Sequence, residues 1–252
     1  MNSNERQKII LQHLQEKDCV KVDELTKEFN VSKVTIRTDL DNLENKGLLV
    51  RTHGGAMAPE KQNYIRIISN TIKESTLEKD MVCKAASALI TNGDTIILDN
   101  GSTTVHLAKY LKNRGVTVAT SSLLAMNQLM NDESIELIML GGILRRYSMG
   151  AIGPIVKTCL QQFHAKWLFM GASGISPSYG ISCTNLIEAE TKQAMIKSAD
   201  LVCLLVDSSK LNRVSFAKVC FWDEIDYLII DKIDDEAKAE IESHGVEVVI
   251  AK

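Results

Sequence analysis

Three polar runs in the second half of the chain directly follow apolar stretches, and their residue types suit an anion. Thr95–Asp99 (TIILD) leads into Asn100-Gly101-Ser102-Thr103-Thr104, Val116–Thr120 into Ser121-Ser122, and Ile135–Leu140 into Gly141-Gly142. A glycine permits a tight turn, and amides with hydroxyls above a helix N-terminus suit a phosphate. A capped strand-to-helix turn without ligand accounts equally for any one of them alone. All three fall at carboxyl ends of expected strands, where open α/β sheets take ligands. Further on, Glu188, Glu190, Lys192 and Asp207-Ser208-Ser209-Lys210 add carboxylates and amines. A helix face salt-bridged to Lys192 is the competing reading for Glu188 and Glu190, and a solvated loop lysine for Lys210. The candidate ligand-binding set is Asp99, Gly101, Ser102, Thr103, Thr104, Ser121, Ser122, Gly141, Gly142, Glu190 and Lys210.

A different chemistry is spaced along the first half. Ser32, Lys33, Thr35, Arg37 and Thr38 fall on the exposed start of an expected helix. Arg37 suits bidentate contact with guanine in a major groove, whereas Ser32, Lys33 and Thr35 can reach phosphates. Arg51 and His53, on a following turn, are placed to touch DNA backbone or minor groove. A protein-docking module with a solvated charged face is the alternative, because residues 1–58 carry nine basic and nine acidic side chains. No GxxxxGK[ST], GxGxxG, GxSxG or HExxH occurs, which favours binding over catalysis.

These residues need elements to hold them. Ile9, Ile10, Leu11 and Leu14 predict a helix over about Asn4–Lys17; Val20 and Val22 flank a short strand; Leu25 and Phe29 mark a second helix. Ser32 caps a third, with Ile36, Leu40 and Leu43 inward, and Leu48–Thr52 with His53-Gly54-Gly55 reads as strand and hairpin turn. Three helices and a hairpin within sixty residues describe a winged helix-turn-helix. After a polar connector the pattern becomes that of a parallel sheet. Thr95–Asp99, Val116–Thr120, Ile135–Leu140, Trp167–Gly171, Leu201–Asp207, Tyr227–Asp231 and Val246–Ile250 are short apolar runs. Helical segments such as Val105–Lys112, Leu123–Met130 and Asn185–Ala199 separate most of them. The expected organisation is a DNA-binding domain over 1–58, a linker over 59–79 and an α/β effector and oligomerisation domain over 80–252.

Composition is ordinary for a globular chain: 252 residues, 45% hydrophobic and 24% charged, with 29 basic and 32 acidic side chains. The net charge of −3 means that nucleic-acid binding must come from locally placed charge. None of the six cysteines forms a CxxC pair, so the spacing suits neither a zinc ribbon nor a redox motif, and no metal or cofactor is expected. No apolar run reaches membrane-span length, and the first residues lack the apolar stretch of a signal peptide. A cytoplasmic protein with no membrane role is expected.

The string from Val22-Asp23-Glu24-Leu25 through Phe29-Asn30-Val31-Ser32-Lys33-Val34-Thr35-Ile36-Arg37-Thr38-Asp39-Leu40 to Gly47-Leu48-Leu49-Val50-Arg51-Thr52-His53-Gly54-Gly55-Ala56 resembles the signature of DeoR-type repressors. Thr38 departs from it, since many members carry a second arginine there. The order Gly171-Ala172-Ser173-Gly174, Gly180, Glu188, Glu190, Lys192, Asp207-Ser208-Ser209-Lys210 resembles the same family's effector domain, itself similar to ribose-5-phosphate isomerase. The resemblance implies a transcriptional regulator that binds operator DNA as a homo-oligomer and is released by a phosphorylated sugar. It further implies that Gly101–Thr104 hold the phosphate, that Ser121 and Ser122 line the pocket, and that Lys210 pairs with an anionic or hydroxyl group. Ser121 replaces an asparagine common in the family. The isomerases carry two aspartates around a Gly-Ala pair; Met170-Gly171-Ala172-Ser173 has neither, leaving Glu190 as a base without partners. An isomerase-like enzyme with an appended DNA-binding domain is the alternative.

Overall fold

The computed structural model describes residues 2–17, 19–46, 48–52, 54–57, 68–72 and 74–252. The chain divides into two units, Met1–Tyr64 and Ile65–Lys252.

In the first unit, helices α1 (Ser3–Lys17), α2 (Val22–Phe29) and α3 (Lys33–Asn45) accompany strands β1 (Cys19–Lys21), β2 (Val50–Thr52) and β3 (Gly55–Met57). Asn30 ends α2 in the left-handed region (φ 50°), its N–H bonded to the Thr26 carbonyl, and Ser32 caps α3 by accepting the Thr35 N–H at 3.1 Å. Ile36, Leu40 and Leu43 face a core with Ile10, Leu25 and Leu49. β3 pairs antiparallel with both β2 and β1, so the short first strand joins the hairpin in one sheet. A Cβ at Gly55 would lie 1.9 Å from the Val20 carbonyl oxygen, so this crossing requires glycine.

The second unit begins with α4 (Ile68–Thr71) and α5 (Thr76–Ser87), within the stretch read as linker. Within that stretch Ile68 and Lys79 are buried, the Lys79 ammonium bonds the Thr71 and Glu74 carbonyls, and the Ile68 N–H donates to the Tyr147 carbonyl at 2.7 Å. There follow β4 (Thr95–Leu98), α6 (Ser102–Leu107), β5 (Thr117–Thr120), α7 (Leu123–Leu129), β6 (Glu136–Met139), β7 (Ile143–Arg145), β8 (Gly150–Ile152), α8 (Pro154–Leu160) and β9 (Ala165–Met170). The rest comprises β10 (Gly174–Ser176), β11 (Gly180–Cys183), α9 (Leu186–Ile196), β12 (Ala199–Val206), β13 (Ala217–Cys220), β14 (Tyr227–Ile230), α10 (Asp235–Glu242) and β15 (Glu247–Ile250).

The seven apolar runs form one parallel sheet of order β15-β14-β12-β9-β4-β5-β6. Apolar clusters cover both faces, one around Leu168, Leu204 and Leu228, the other around Phe169, Leu205 and Ile229. Alternate residues of the same strands supply opposite faces. Two pieces lie outside the sequence expectation: the antiparallel sheet β10-β11-β13 and the hairpin β7–β8. Their strands have only three or four residues, too short for a period to show. The helix expected at Val105–Lys112 begins earlier, at Ser102, and ends in a 3-10 turn at Tyr110. Ala199, read as the end of a helix, opens β12.

Candidate functional site

On α3 the structure separates outward residues from committed ones. Lys33, Val34, Arg37 and Thr38 are exposed. The Lys33 ammonium meets Asp23 of α2 at 2.7 Å, and that hydrogen bond and charge hold the exposed Asp23 carboxyl below its usual value. Ser32 and Thr35, expected on phosphates, are joined by their hydroxyls at 2.9 Å within the helix cap. The Thr38 hydroxyl donates to the Val34 carbonyl oxygen at 3.0 Å. Arg51 departs most from expectation. Its guanidinium turns back from the wing onto Asp41 and the Arg37 carbonyl oxygen, while its N–H donates to Glu44. Arg51 therefore braces wing against helix, its guanidinium on Asp41 and the Arg37 carbonyl and its backbone N–H on Glu44. His53 lies outside the described residues.

Sequence reasoning missed the anchor of this helix. Asp39, 2% exposed, accepts from Arg6 at 2.7 Å, from Gln7 at 3.2 Å and from Ser3, all on α1. Burial works against its charge, yet these donors together hold the carboxyl below the usual aspartate value. The available signal was phase: Asp39 falls three residues after Ile36 and beside Leu40, on the buried stripe.

At the carboxyl edge of the sheet, register brings the candidate ligand residues together. Leu98 pairs with Thr120 and with Phe169, so Asp99, Ser121 and Met170 follow side by side. Asp99, 1% exposed, accepts the Gly171 N–H at 3.0 Å and meets the Lys192 ammonium, which also donates to the Gly171 carbonyl at 3.0 Å. Burial disfavours the Lys192 charge, but Asp99 and Glu188 outweigh it and raise its pKa. Gly101 approaches Gly171 closely: a Cβ on either would stand 3.5–3.7 Å from the other's Cα. Ser102, half-buried, opens α6. The Ser121 hydroxyl oxygen is fully buried with no hydrogen-bond partner among the described residues, which calls for a polar group from outside the chain or a water.

Other predicted residues take different parts. The Thr104 hydroxyl donates to the carbonyls of Asp99 and Gly101 (2.7 and 2.8 Å), and so tightens the turn from within. Thr103 is buried behind it. Ser122 caps α7 through the Ala125 N–H, and Gly142 packs so closely on Val156 that a Cβ would lie 2.6 Å from it, whereas Gly141 is open. Lys210 is half-buried in the 3-10 turn after β12. Glu190 is corrected. It faces solvent, paired with Lys157 at 3.3 Å, beside a groove of about 740 Å³ toward the amino-terminal edge of the sheet. Two residues along a helix is a turn of about 200°, so Glu188 rather than Glu190 faces inward. Its neighbours are Lys192 and Arg145, the latter at 3.2 Å, and burial still pushes its carboxyl pKa up.

Arg145 had no sequence signal. The hairpin carrying it leans on the site: Gly150 abuts the Asn100 side chain, and Ala151 donates to the Ser121 carbonyl at 2.8 Å. The same hairpin accepts the Ile68 N–H at the Tyr147 carbonyl, 2.7 Å away. Behind the Gly101 turn, His106 of α6 contacts the Ile72 carbonyl at 3.1 Å. Two connections thus run from the strand ends to the first described turn of this unit.

Among the described residues no cluster of His, Cys, Asp or Glu could hold a metal, and no helix is long and apolar enough to cross a membrane. Residues 6–62 match the DeoR-like helix-turn-helix domain and residues 74–232 the DeoR C-terminal sensor domain. The chain is 32% identical to the transcriptional repressor GlcR of Bacillus subtilis, over all of this chain and 98% of that protein. It is also 32% identical to the lactose phosphotransferase system repressor of Staphylococcus epidermidis, over 99% of this chain and all of that protein. The regulator GolR of Listeria innocua matches at 32% over 98% of each chain. A ribose 5-phosphate isomerase from Methanocaldococcus jannaschii aligns at 22% identity over 53% of each chain with a TM-score of 0.36, a likeness too slight to decide anything. With both halves matched in order and relatives aligned almost end to end, this chain belongs to the DeoR family of DNA-binding transcriptional regulators.

Proposed function

We propose that the protein represses a carbohydrate-utilisation operon in the cytoplasm and leaves its operator when a phosphorylated sugar binds the carboxyl edge of the sensor sheet. The observation that carries this reading is the meeting of Asp99, Gly101, Ser102, Ser121 and Gly171 beside the buried Lys192, with the Ser121 hydroxyl unpartnered. In this reading the Gly101–Ser102 amides and the Ser102 hydroxyl take the phosphate, Ser121 takes a sugar hydroxyl, and Gly141 and Lys210 border the pocket. The names of relatives support the sugar connection, one being a repressor of a lactose phosphotransferase system.

Occupancy reaches the connector through two contacts, His106 to Ile72 and Tyr147 to Ile68, and shifts the DNA-binding units of a homo-oligomer. A coupling of about 1–3 kcal/mol suffices to change operator occupancy. An isomerase reading is not favoured, because Glu190, its candidate base, faces solvent beside Lys157.

The test is Ser102→Glu. A carboxylate at this position repels the ligand's dianion and fills its place. With a duplex selected by the wild-type protein from a random-sequence pool and a panel of sugar phosphates, the variant should bind DNA normally and no longer be released. Ser102→Ala should respond at higher concentrations. A Ser102→Glu protein released at the wild-type concentration overturns the phosphate placement, and turnover of ribose 5-phosphate overturns the regulator-only reading.

A further inference from the structure

The first two turns of α3 carry the residues that a major groove would meet, and most of their polar groups already have partners. Ser32 and Thr35 close the cap, Lys33 is paired with Asp23, and the Thr38 hydroxyl is bonded to the Val34 carbonyl. Two outward side chains remain. Arg37 has no hydrogen bond or ion pair to its guanidinium among the described residues, and Val34 is 70% exposed.

Single apolar residues on a surface ordinarily need no explanation. Val34 differs in its setting. It is the second residue of α3, flanked by Lys33 and one turn ahead of Arg37, on the face opposite the Ile36–Leu40–Leu43 stripe. Among the described residues of its own unit nothing covers it, and hydration of its methyl groups is unfavourable until something apolar does.

We infer that Val34 is a specificity residue that reads thymine, packing against the C5-methyl group of a base within one or two steps of the guanine addressed by Arg37. This rests on α3 being the reading helix. The thymine methyl is the apolar feature of the major-groove edge, and cytosine lacks it. Residues three apart on a helix stand about 5–6 Å apart at Cβ, and successive bases rise about 3.4 Å. Val34 and Arg37 therefore address neighbouring or next-neighbouring bases. The Thr38 hydroxyl donates back to the helix and is left only as an acceptor, so the ridge of residues 34 and 38 is a methyl-bearing stripe beside an arginine. A thymine next to a guanine matches that stripe in chemistry and in spacing.

The experiment uses the full-length protein and a duplex selected by it from a random-sequence pool. Each thymine is replaced singly by deoxyuridine, which removes the C5-methyl and leaves base pairing intact. Wild-type protein should lose about fourfold in affinity at one thymine of the half-site, the weight of one buried methyl group. The sensitive thymine should lie within two steps of the guanine whose preference disappears in Arg37→Ala. Val34→Ser should bind the thymine and deoxyuridine duplexes equally, while its low-salt binding to an unrelated duplex stays at the wild-type level. Indifference of the wild type to every deoxyuridine overturns the inference, as does full sensitivity retained by Val34→Ser. If Arg37→Ala erases a guanine preference while Val34→Ser keeps the methyl sensitivity, only the role of Val34 falls. If neither variant changes the selected sequence, α3 as reading helix falls with it.

Discussion

Each unit of this protein is organised around a buried aspartate held by a cation, and the two pairs do different work. Among the described residues Asp39 takes its donors from one neighbour, the first turn and a half of α1, and fixes α3 against it. Asp99 takes its donors from separate places, the Gly171 loop and Lys192 of α9, and gathers strand ends that face the candidate ligand. One pair makes a helix immovable. The other makes several loops dependent on one another, so a molecule bound there can shift them together.

The largest effect should follow from breaking the first pair. Asp39→Ala removes the carboxylate from a buried guanidinium and should cost the DNA-binding unit about 3–5 kcal/mol. Amide exchange in α1 and α3 should accelerate to the rate of the unfolded unit, while the seven-strand sheet remains protected. Binding to every DNA sequence should fall together, because no folded helix remains to present Arg37. The double variant Arg6→Met, Asp39→Leu should recover most of the stability and the binding, since buried pairs are often replaceable by apolar residues of similar volume. If the double variant is stable and still fails to bind, Asp39 does more than anchor.

Breaking the second pair should separate stability from response. Lys192→Met leaves Asp99 with the Gly171 N–H alone, at a cost of about 3 kcal/mol to the sensor unit. Here the double variant Asp99→Leu, Lys192→Met should regain stability, yet operator release by sugar phosphates should stay lost. Recovery of release would reduce the pair to scaffolding. The pH limits should also differ. Asp39 has a lowered pKa, so its stabilisation is complete above the usual aspartate value of 3.8 and is lost as pH falls through its folded value. Lys192 has a raised pKa, so its stabilisation is complete below the usual 10.5 and is lost as pH rises through its folded value. In a denaturation series Asp39 should make the DNA-binding unit weaken on the acid side, as Asp94 does for the sensor unit, while Lys192 adds an alkaline decline to the sensor unit. Lys192→Met should show a smaller alkaline decline, the remainder coming from buried thiols such as Cys83 and Cys220, whose pKa values burial pushes up to about 12.

These anchors also mark how far the sequence could be read. The seven parallel strands were legible because strands covered on both faces are continuous apolar runs. Helix α3 was legible from Ser32, whose cap fixes where its register starts. Asp39 was not, since a charged residue reads as surface unless its helical phase is followed through Ile36 and Leu40. The choice between Glu188 and Glu190 turned on the Asn185 cap, which accepts the Glu188 N–H at 3.0 Å and sets which of two residues faces inward. Arg145 and its hairpin were invisible, because a three-residue strand with exposed Ile143 and Leu144 has no periodicity to detect. Ser121 could be placed at a strand end, but that its hydroxyl lacks a partner is a tertiary fact.

The contact behind the Gly101 turn, within the sensor unit, should give a smaller effect. His106 contacts the Ile72 carbonyl at 3.1 Å with a ring whose pKa burial lowers. His106→Phe keeps the bulk and removes the hydrogen bond. Sugar-phosphate binding measured on the sensor unit's thermal shift should be nearly unchanged, while the concentration needed for operator release should rise by a coupling of about 0.5–2 kcal/mol. Equal loss in both measurements would place His106 in the ligand site instead of behind it.

The smallest effect lies at the Lys33–Asp23 pair on the exposed start of α3. Lys33 and Asp23 are both largely solvated, so their pairing is screened by salt and holds little of the fold. Lys33→Ala should therefore leave unfolding unchanged. If Lys33 exchanges Asp23 for a phosphate on binding, the variant should weaken all duplexes alike and reduce the slope of log affinity against log salt by about one unit. Asp23→Asn sharpens this, because it frees the same ammonium and removes a negative charge from the DNA-facing surface. It should strengthen binding to every sequence, most visibly at low salt, and lose that advantage when Lys33→Ala is added. A gain that persists in the double variant would assign the effect to Asp23's own repulsion of the duplex. A loss of stability in Lys33→Ala would mean that this face of α3 is held as well as presented, and the contrast between an anchored inner face and a free outer one would not stand.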